Sequence, residues 1–216
     1  MEETGSKELS FRSILEEDLN WRDEEIRHLK NALNLFQKDN EKSCIRKSMI
    51  LLIYAHCEGF VKSSLQAYLS YLNDLEIDGN AFIENLQLLG VEKKRKSLVN
   101  NSNNFSGFLN FFSEFKIIQQ QKLRFDENCI DTESNLNFKV LKKNLEYVGL
   151  EESDFKEIEK ELDSLLNRRN NIAHGSDHDR VRQDDVEKWF RAFDKICNNL
   201  IRVISNAVIN ESYLKK

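Results

Sequence analysis

The chain contains no proline and only seven glycines in 216 residues. Proline marks turns, edge strands and loops, and glycine supplies the positive-φ positions of tight turns. A chain with so little of either is poor in hairpins and rich in long helices, so the expected fold is all-α. Apolar residues are 40% of the sequence, enough to bury a core and too many for a disordered chain.

The helical period can be followed along most of the sequence. From residue 8 to 37, Leu9, Ile14, Leu15, Leu19, Ile26, Leu29, Leu33 and Phe36 recur at helical spacing among charges. Asp39 or Asn40 is the expected cap of a second helix running to about Leu75, whose middle, MILLIYAHCEGFVKSSL, is apolar on nearly every face. Such a helix is the centre of a bundle or part of a dimer interface. A short helix follows over 80–92, then a basic and Asn/Ser-rich loop, KKRKSLVNNSNNFSG, then an aromatic-rich helix, FLNFFSEFKII. Residues 122–137 lack periodicity and read as a connector. Phe138 to Tyr147 form a helix with Gly149 at its C-terminal cap. Ser153, with Glu157 near capping-box distance, opens a helix that runs to His174 before Gly175. A final amphipathic helix covers 183–212 after the polar loop SDHDRVR. No repeat or long linker divides the chain. The expected architecture is one helical domain over 1–216, with long central helices and an inserted middle segment at about 97–137.

Charge and cysteines narrow the function classes. The formal net charge is −5, and residues 161–216 sum to about +1, so any nucleic-acid contact is local, not a broad basic face. Cys44, Cys57, Cys129 and Cys197 are far apart without paired ligand spacing, which predicts neither a disulfide framework nor a zinc site. The acidic N-terminus lacks a signal-peptide pattern, and the longest apolar run, Met49 to Cys57, is too short to span a bilayer. A cytoplasmic protein without membrane partners, metal or cofactor is expected.

Imidazole chemistry can use only His28, His56, His174 or His178. His28 lies in a charged helix, and His56 in the apolar second helix reads first as a satisfied core histidine. His174 and His178 have no HExxH or cysteine partner to make a metal site. The informative segment is LLNRRNNIAHGS, residues 165–176. With about 100° per residue, Leu162, Leu165, Leu166, Ile172 and Ala173 fall within about 60° of Arg169, which therefore sits in the middle of an apolar stripe. An unpaired guanidinium there is costly, so it needs a carboxylate, a phosphate or a polar cleft. His174 lies about 140° round the same helix, so the two side chains share a ligand only if the last turn distorts or a second subunit completes the cleft. Glu58 shares a face with Leu51, Tyr54, Val61 and Leu65 and is the candidate partner for Arg169, with an i,i+4 pair to Lys62 as the alternative. Arg168 is a solvated helix-end arginine or a phosphate contact, and Asn171 adds an amide donor beside the pair.

Arg169-Asn170-Asn171-Ile172-Ala173-His174 resembles the RNxxxH form of the R-x4-6-H motif of HEPN domains (higher eukaryotes and prokaryotes nucleotide-binding). LLIYAHCEGFVKSSLQAYLSYL and SNLNFKVLKKNLEYVGL are similar to the second helix and penultimate region of the stand-alone bacterial MAE-type branch. The resemblance covers about residues 8 to 210. It implies a HEPN-type helical bundle and a homodimeric, metal-independent endoribonuclease of a toxin–antitoxin or anti-phage defence system. In that scheme the RNA 2′-hydroxyl attacks the adjacent phosphate, with Arg169, Asn170 and His174 catalytic and Glu58, Arg168, Asn171 and His56 supporting. It also implies RNA as substrate and, beyond a second copy of the chain, a cognate antitoxin or defence protein as partner. A non-catalytic HEPN-fold binding or adaptor subunit is the alternative.

Overall fold

A computed structural model describes residues 2–92, 105–176 and 180–216 of the chain. Residues 93–104, which hold most of the basic Asn/Ser-rich loop, and His178 lie outside the described residues, as does the side chain of Leu9. Among the described residues there is no strand, and seven α-helices carry the architecture: α1 Glu2–Ala32, α2 Asp39–Asp74, α3 Glu84–Gly90, α4 Phe105–Gln119, α5 Phe138–Tyr147, α6 Glu159–Ala173 and α7 Gln183–Ile209. The protein is all-α, as its lack of proline predicts.

Helix α2 is the axis of the bundle. It packs against α1, α6 and α7, and its buried residues, from Met49 and Ile53 through Cys57, Phe60 and Leu65 to Leu72, cover somewhat more than half of its circumference. That part of its apolar surface is used inside the chain. Helix α7 contributes one stripe, with Val186, Trp189, Phe193, Ile196, Leu200 and Ile204 buried at three- and four-residue steps.

Several boundaries differ from the sequence expectation, each for a local reason. The first helix ends at Ala32 and continues as a 3-10 turn over Leu33–Leu35. Neither Asp39 nor Asn40 caps α2. The cap position is Lys38, with no side-chain cap, and the Asp39 carboxylate turns to Arg46 and Arg180 instead. The Ser153/Glu157 capping box does not form. Residues Ser153–Ile158 make a 3-10 turn before α6 begins at Glu159, and Glu157 pairs with Lys195 of α7. Helix α5 has the expected ends: Asn137 Oδ1 accepts from Val140 N, and Gly149 follows in the left-handed conformation (φ 72°).

The segment 122–137 is not a loose insert. Asn73 of α2 clasps Phe125 by both backbone groups, donating to its carbonyl (3.1 Å) and accepting from its N–H (2.7 Å). Gln66 donates to the Glu127 carbonyl, and Leu123, Phe125, Ile130 and Leu136 are buried. The segment is a strap laid along α2. It ends in a turn where Glu133 (φ 56°) and Ser134 (φ 52°) are left-handed, which is uncommon for non-glycine residues and is supported by Asp131 Oδ1 accepting from Glu133 N. That turn delivers the Ser134 carbonyl to α6. Helix α4, by contrast, buries no residue and exposes Phe105, Phe108, Leu109, Phe112 and Ile117.

Candidate functional site

Helix α6 ends regularly. His174 N donates to Asn170 O (2.9 Å), Gly175 takes φ 70°, and Ser176 N donates to Asn171 O (3.0 Å). The last turn therefore does not bend, and the positions of Arg169 and His174 follow the helical wheel.

Arg169 is turned toward α2 and the strap. Its Nη1 donates to Asn170 Oδ1 (2.8 Å) and its Nη2 to Ser134 O (3.1 Å). Its Cζ stands 4.3 Å from the centroid of the Tyr54 ring, and Nη2 lies 3.9 Å from Glu58 Oε2. The Arg169 and Glu58 side chains are 25% and 19% exposed, so the pair is neither a solvated surface bridge nor fully desolvated. Glu58 Oε1 is buried and has no hydrogen-bond partner among the described residues. Burial, then the neighbouring Glu58 carboxylate, pushes the Tyr54 hydroxyl far above the ordinary tyrosine range, while Arg169 pulls it the other way. Tyr54 is therefore a neutral phenol at any physiological pH.

His174 is exposed at the C-terminal cap of α6. Within one chain the structure does not bring it together with Arg169, which lies on the α2-facing side of the helix. Asn170 is bonded to Arg169. Arg168 and Asn171 lie instead on the other side of α6, where they line a polar groove of about 720 Å³ with Arg46, Arg180 and Arg182.

His56 sits elsewhere. It is buried on the α1 side of α2, with Nε2 3.0 Å from Glu25 Oε2 and its ring edge-on to Trp21 at 5.2 Å. Burial, and then the Arg22 guanidinium, lower its pKa below the usual histidine value, against the opposing pull of Glu25 and Asp18. It has no contact with the Arg169 cluster and does not support it. His56 is a core histidine with an exposed carboxylate partner.

Sequence reasoning overlooked three contributors. Tyr54 was signalled by its shared face with Glu58, one turn apart on α2. Ser134 carried no local signal beyond its turn-like neighbours, because only the strap's docking brings it to α6. The groove arginines are separated in the chain, with Arg46 and Val181 meeting across 135 positions. Among the described residues no group of three or more His, Cys, Asp and Glu is placed to hold a metal, and no helix is long and apolar enough to cross a membrane.

An all-α bundle built round one buried axial helix, with R-N-x3-H closing the helix before the last, defines a HEPN-type domain. A family model described as RiboL-PSP-HEPN matches residues 17–206, and the chain belongs to that family. The likeness noted in α2 and α5 is to the MAE-type branch, and the branch named by the match is RiboL-PSP-HEPN; both lie in the HEPN superfamily, whose members are commonly ribonucleases. No curated protein and no solved structure gives a match.

Proposed function

We propose that the protein is an endoribonuclease that cleaves RNA without a metal, using His174 and Arg169 in a cleft shared by two copies of the chain. The observation that carries this reading is the R-N-x3-H segment in its setting, with a guanidinium fixed by Asn170, Ser134 and Tyr54 and an imidazole left open to solvent at the helix end. The 2′-oxygen bonds to phosphorus as the P–O5′ bond breaks, leaving a 2′,3′-cyclic phosphate and a 5′-hydroxyl. Histidine takes the 2′-hydroxyl proton near neutral pH, and a proton returns to O5′. Arginine stabilises the charge that develops on the phosphorane oxygens. The dependence on a 2′-hydroxyl selects RNA over DNA.

The two side chains diverge by about 140° on a regular helix, so the reaction needs the motif of a second copy across a two-fold axis. A role in a toxin–antitoxin or anti-phage system, with a cognate antitoxin or defence protein as partner, fits such an activity and belongs to the same proposal.

One observation favours a second reading. Arg169 has four neighbours inside its own chain, as a structural fastener would, and a HEPN-fold adaptor subunit needs no more. Incubation of the purified protein with total RNA in excess chelator separates the two. The ribonuclease reading expects cleavage products ending in 2′,3′-cyclic phosphate and a dimer by light scattering. Intact RNA, or a strict monomer that cleaves, overturns the proposed shared cleft.

A further inference from the structure

Ser164, Asn167, Arg168 and Asn171 recur along α6 at steps of three and four, so at about 100° per residue they form one polar strip, with Arg169 on the opposite side. The strip is one wall of the 720 Å³ groove. The facing wall comes from the start of α2, through Asp39 and Arg46, and from the segment entering α7, through Arg180, Arg182 and Asp185. Four arginines thus meet two aspartates in one groove of a chain whose formal charge is −5.

Both aspartates already have partners in the groove wall. Asp39 is shared, with Oδ1 3.4 Å from Arg46 Nη1 and Oδ2 3.2 Å from Arg180 Nη1. Asp185 accepts from the backbone N–H of Arg182 at the start of α7 (3.2 Å). The wall is also built. Arg46 Nη1 donates to Val181 O (3.2 Å), and Val181 N donates to Ser43 Oγ (3.1 Å), so the backbone between Arg180 and Arg182 is pinned to α2 while both of those side chains stay exposed.

His174 continues the strip. It follows Asn171 by three residues, and its N–H keeps the helical bond to Asn170 O, so it lies about 4.5 Å further along the axis on the groove side. Arg168 and Arg169 both satisfy the R-x4-6-H spacing to His174, at about 120° and 140° from it round the helix, and of the two only Arg168 lines the groove.

We propose that this groove is a phosphodiester subsite that seats a single RNA strand and leads it to His174, with Arg168, Arg180 and Arg182 contacting phosphates and Arg46 bracing the wall. Guanidinium groups match phosphate oxygens bidentately and are weakly hydrated, which suits an anion that must be partly desolvated. Seating a strand that is then cut rests on the ribonuclease reading; the affinity for phosphodiesters rests on the groove alone.

The test separates the two. A labelled RNA strand of about 12 nucleotides is titrated into His174→Ala protein, where binding is read without turnover, between about 50 and 200 mM salt. The added double change Arg180→Gln/Arg182→Gln should weaken binding and flatten the slope of log K against log salt by about 1.4, two phosphate contacts at about 0.7 each. Arg168→Gln should act in the same direction, with partial recovery in Arg168→Lys. A DNA strand of the same length should bind with the same groove dependence, because phosphate contacts do not read the sugar. Lys215→Gln/Lys216→Gln removes the same charge from the exposed C-terminus and should leave the slope alone. An unchanged slope in the groove variants, an equal loss in the terminal control, or no RNA binding by the parent overturns the subsite. Groove-dependent binding by a protein that never cleaves RNA keeps the subsite and removes the ribonuclease reading.

Discussion

The guanidinium of Arg169 stands over the ring of Tyr54, its Cζ 4.3 Å from the ring centroid, so the motif arginine is held by the axial helix of its own chain. The ring supplies a platform that fixes the arginine without neutralising it, whereas Glu58 at 3.9 Å offsets its charge.

Two changes at Tyr54 separate platform from hydroxyl. Tyr54→Phe keeps a ring beneath Arg169 and should change RNA cleavage by no more than the cation–π difference, about 0.5–1 kcal/mol or two- to fivefold. Tyr54→Leu removes the platform and should lower kcat by at least tenfold, about 1.4 kcal/mol in barrier height. Cleavage kinetics on one RNA substrate check both, and equal activity of the two variants would remove the platform role.

His174 is exposed, so its removal should be visible in chemistry and not in stability. His174→Ala should reduce cleavage by at least about a hundredfold, the lower range for losing a general acid–base. Its unfolding free energy should stay within about 0.5 kcal/mol of the parent, as for other surface substitutions. Retained cleavage in this variant would remove the histidine mechanism.

The long-period features were legible in the sequence because they are local. Proline absence, the apolar run of α2, the Gly149 end of α5, and the Gly175 stop of α6 each depend on residues within a turn or two of one another. The central place of Arg169 in an apolar stripe, and its divergence from His174, followed from helical geometry alone. What the sequence hid depends on tertiary docking. The strap over 122–137 is ordered by Asn73 and Gln66, whose roles no periodicity reveals. Glu157 looked like a capping residue and is drawn to Lys195 by the packing of α7. The arginine groove joins three separated segments, so it exists only once α2, α6 and the start of α7 have met.

His56 predicts a pH dependence of stability. Burial and Arg22 hold its folded-state pKa below the unfolded value near 6.5, despite Glu25 and Asp18. The unfolded chain then binds the proton first, so this contribution is complete above about pH 6.5 and is lost as pH falls from there toward the depressed folded pKa. Thermal melts between pH 8 and 5 should show Tm falling below about pH 6.5, with a shallower fall in His56→Gln. An equal fall in both proteins would assign the loss to the acidic groups instead.

The Glu58–Arg169 pair offers the sharpest test of the site. Glu58 reaches across to α6, and an i,i+4 pair with Lys62 is not formed. At 3.9 Å and about one-fifth exposure, the pair lies between surface bridges worth 0–1 kcal/mol and buried ones whose breakage costs about 3–5, so Glu58→Gln should destabilise by about 1 kcal/mol. It also leaves Arg169 with only neutral partners in Ser134, Asn170 and Tyr54. Cleavage should therefore fall at least tenfold, about 1.4 kcal/mol in barrier height, if the carboxylate sets the position of the guanidinium. Adding Arg169→Met replaces the remaining charge with an apolar side chain inside the stripe of Leu162, Leu165 and Leu166, and should return part of the lost Tm. The double-mutant cycle, read by thermal unfolding with cleavage followed in parallel, measures the coupling directly. Strictly additive losses, with activity intact in Glu58→Gln, would mean that the carboxylate merely lies near Arg169 and that Tyr54 and Ser134 hold it unaided.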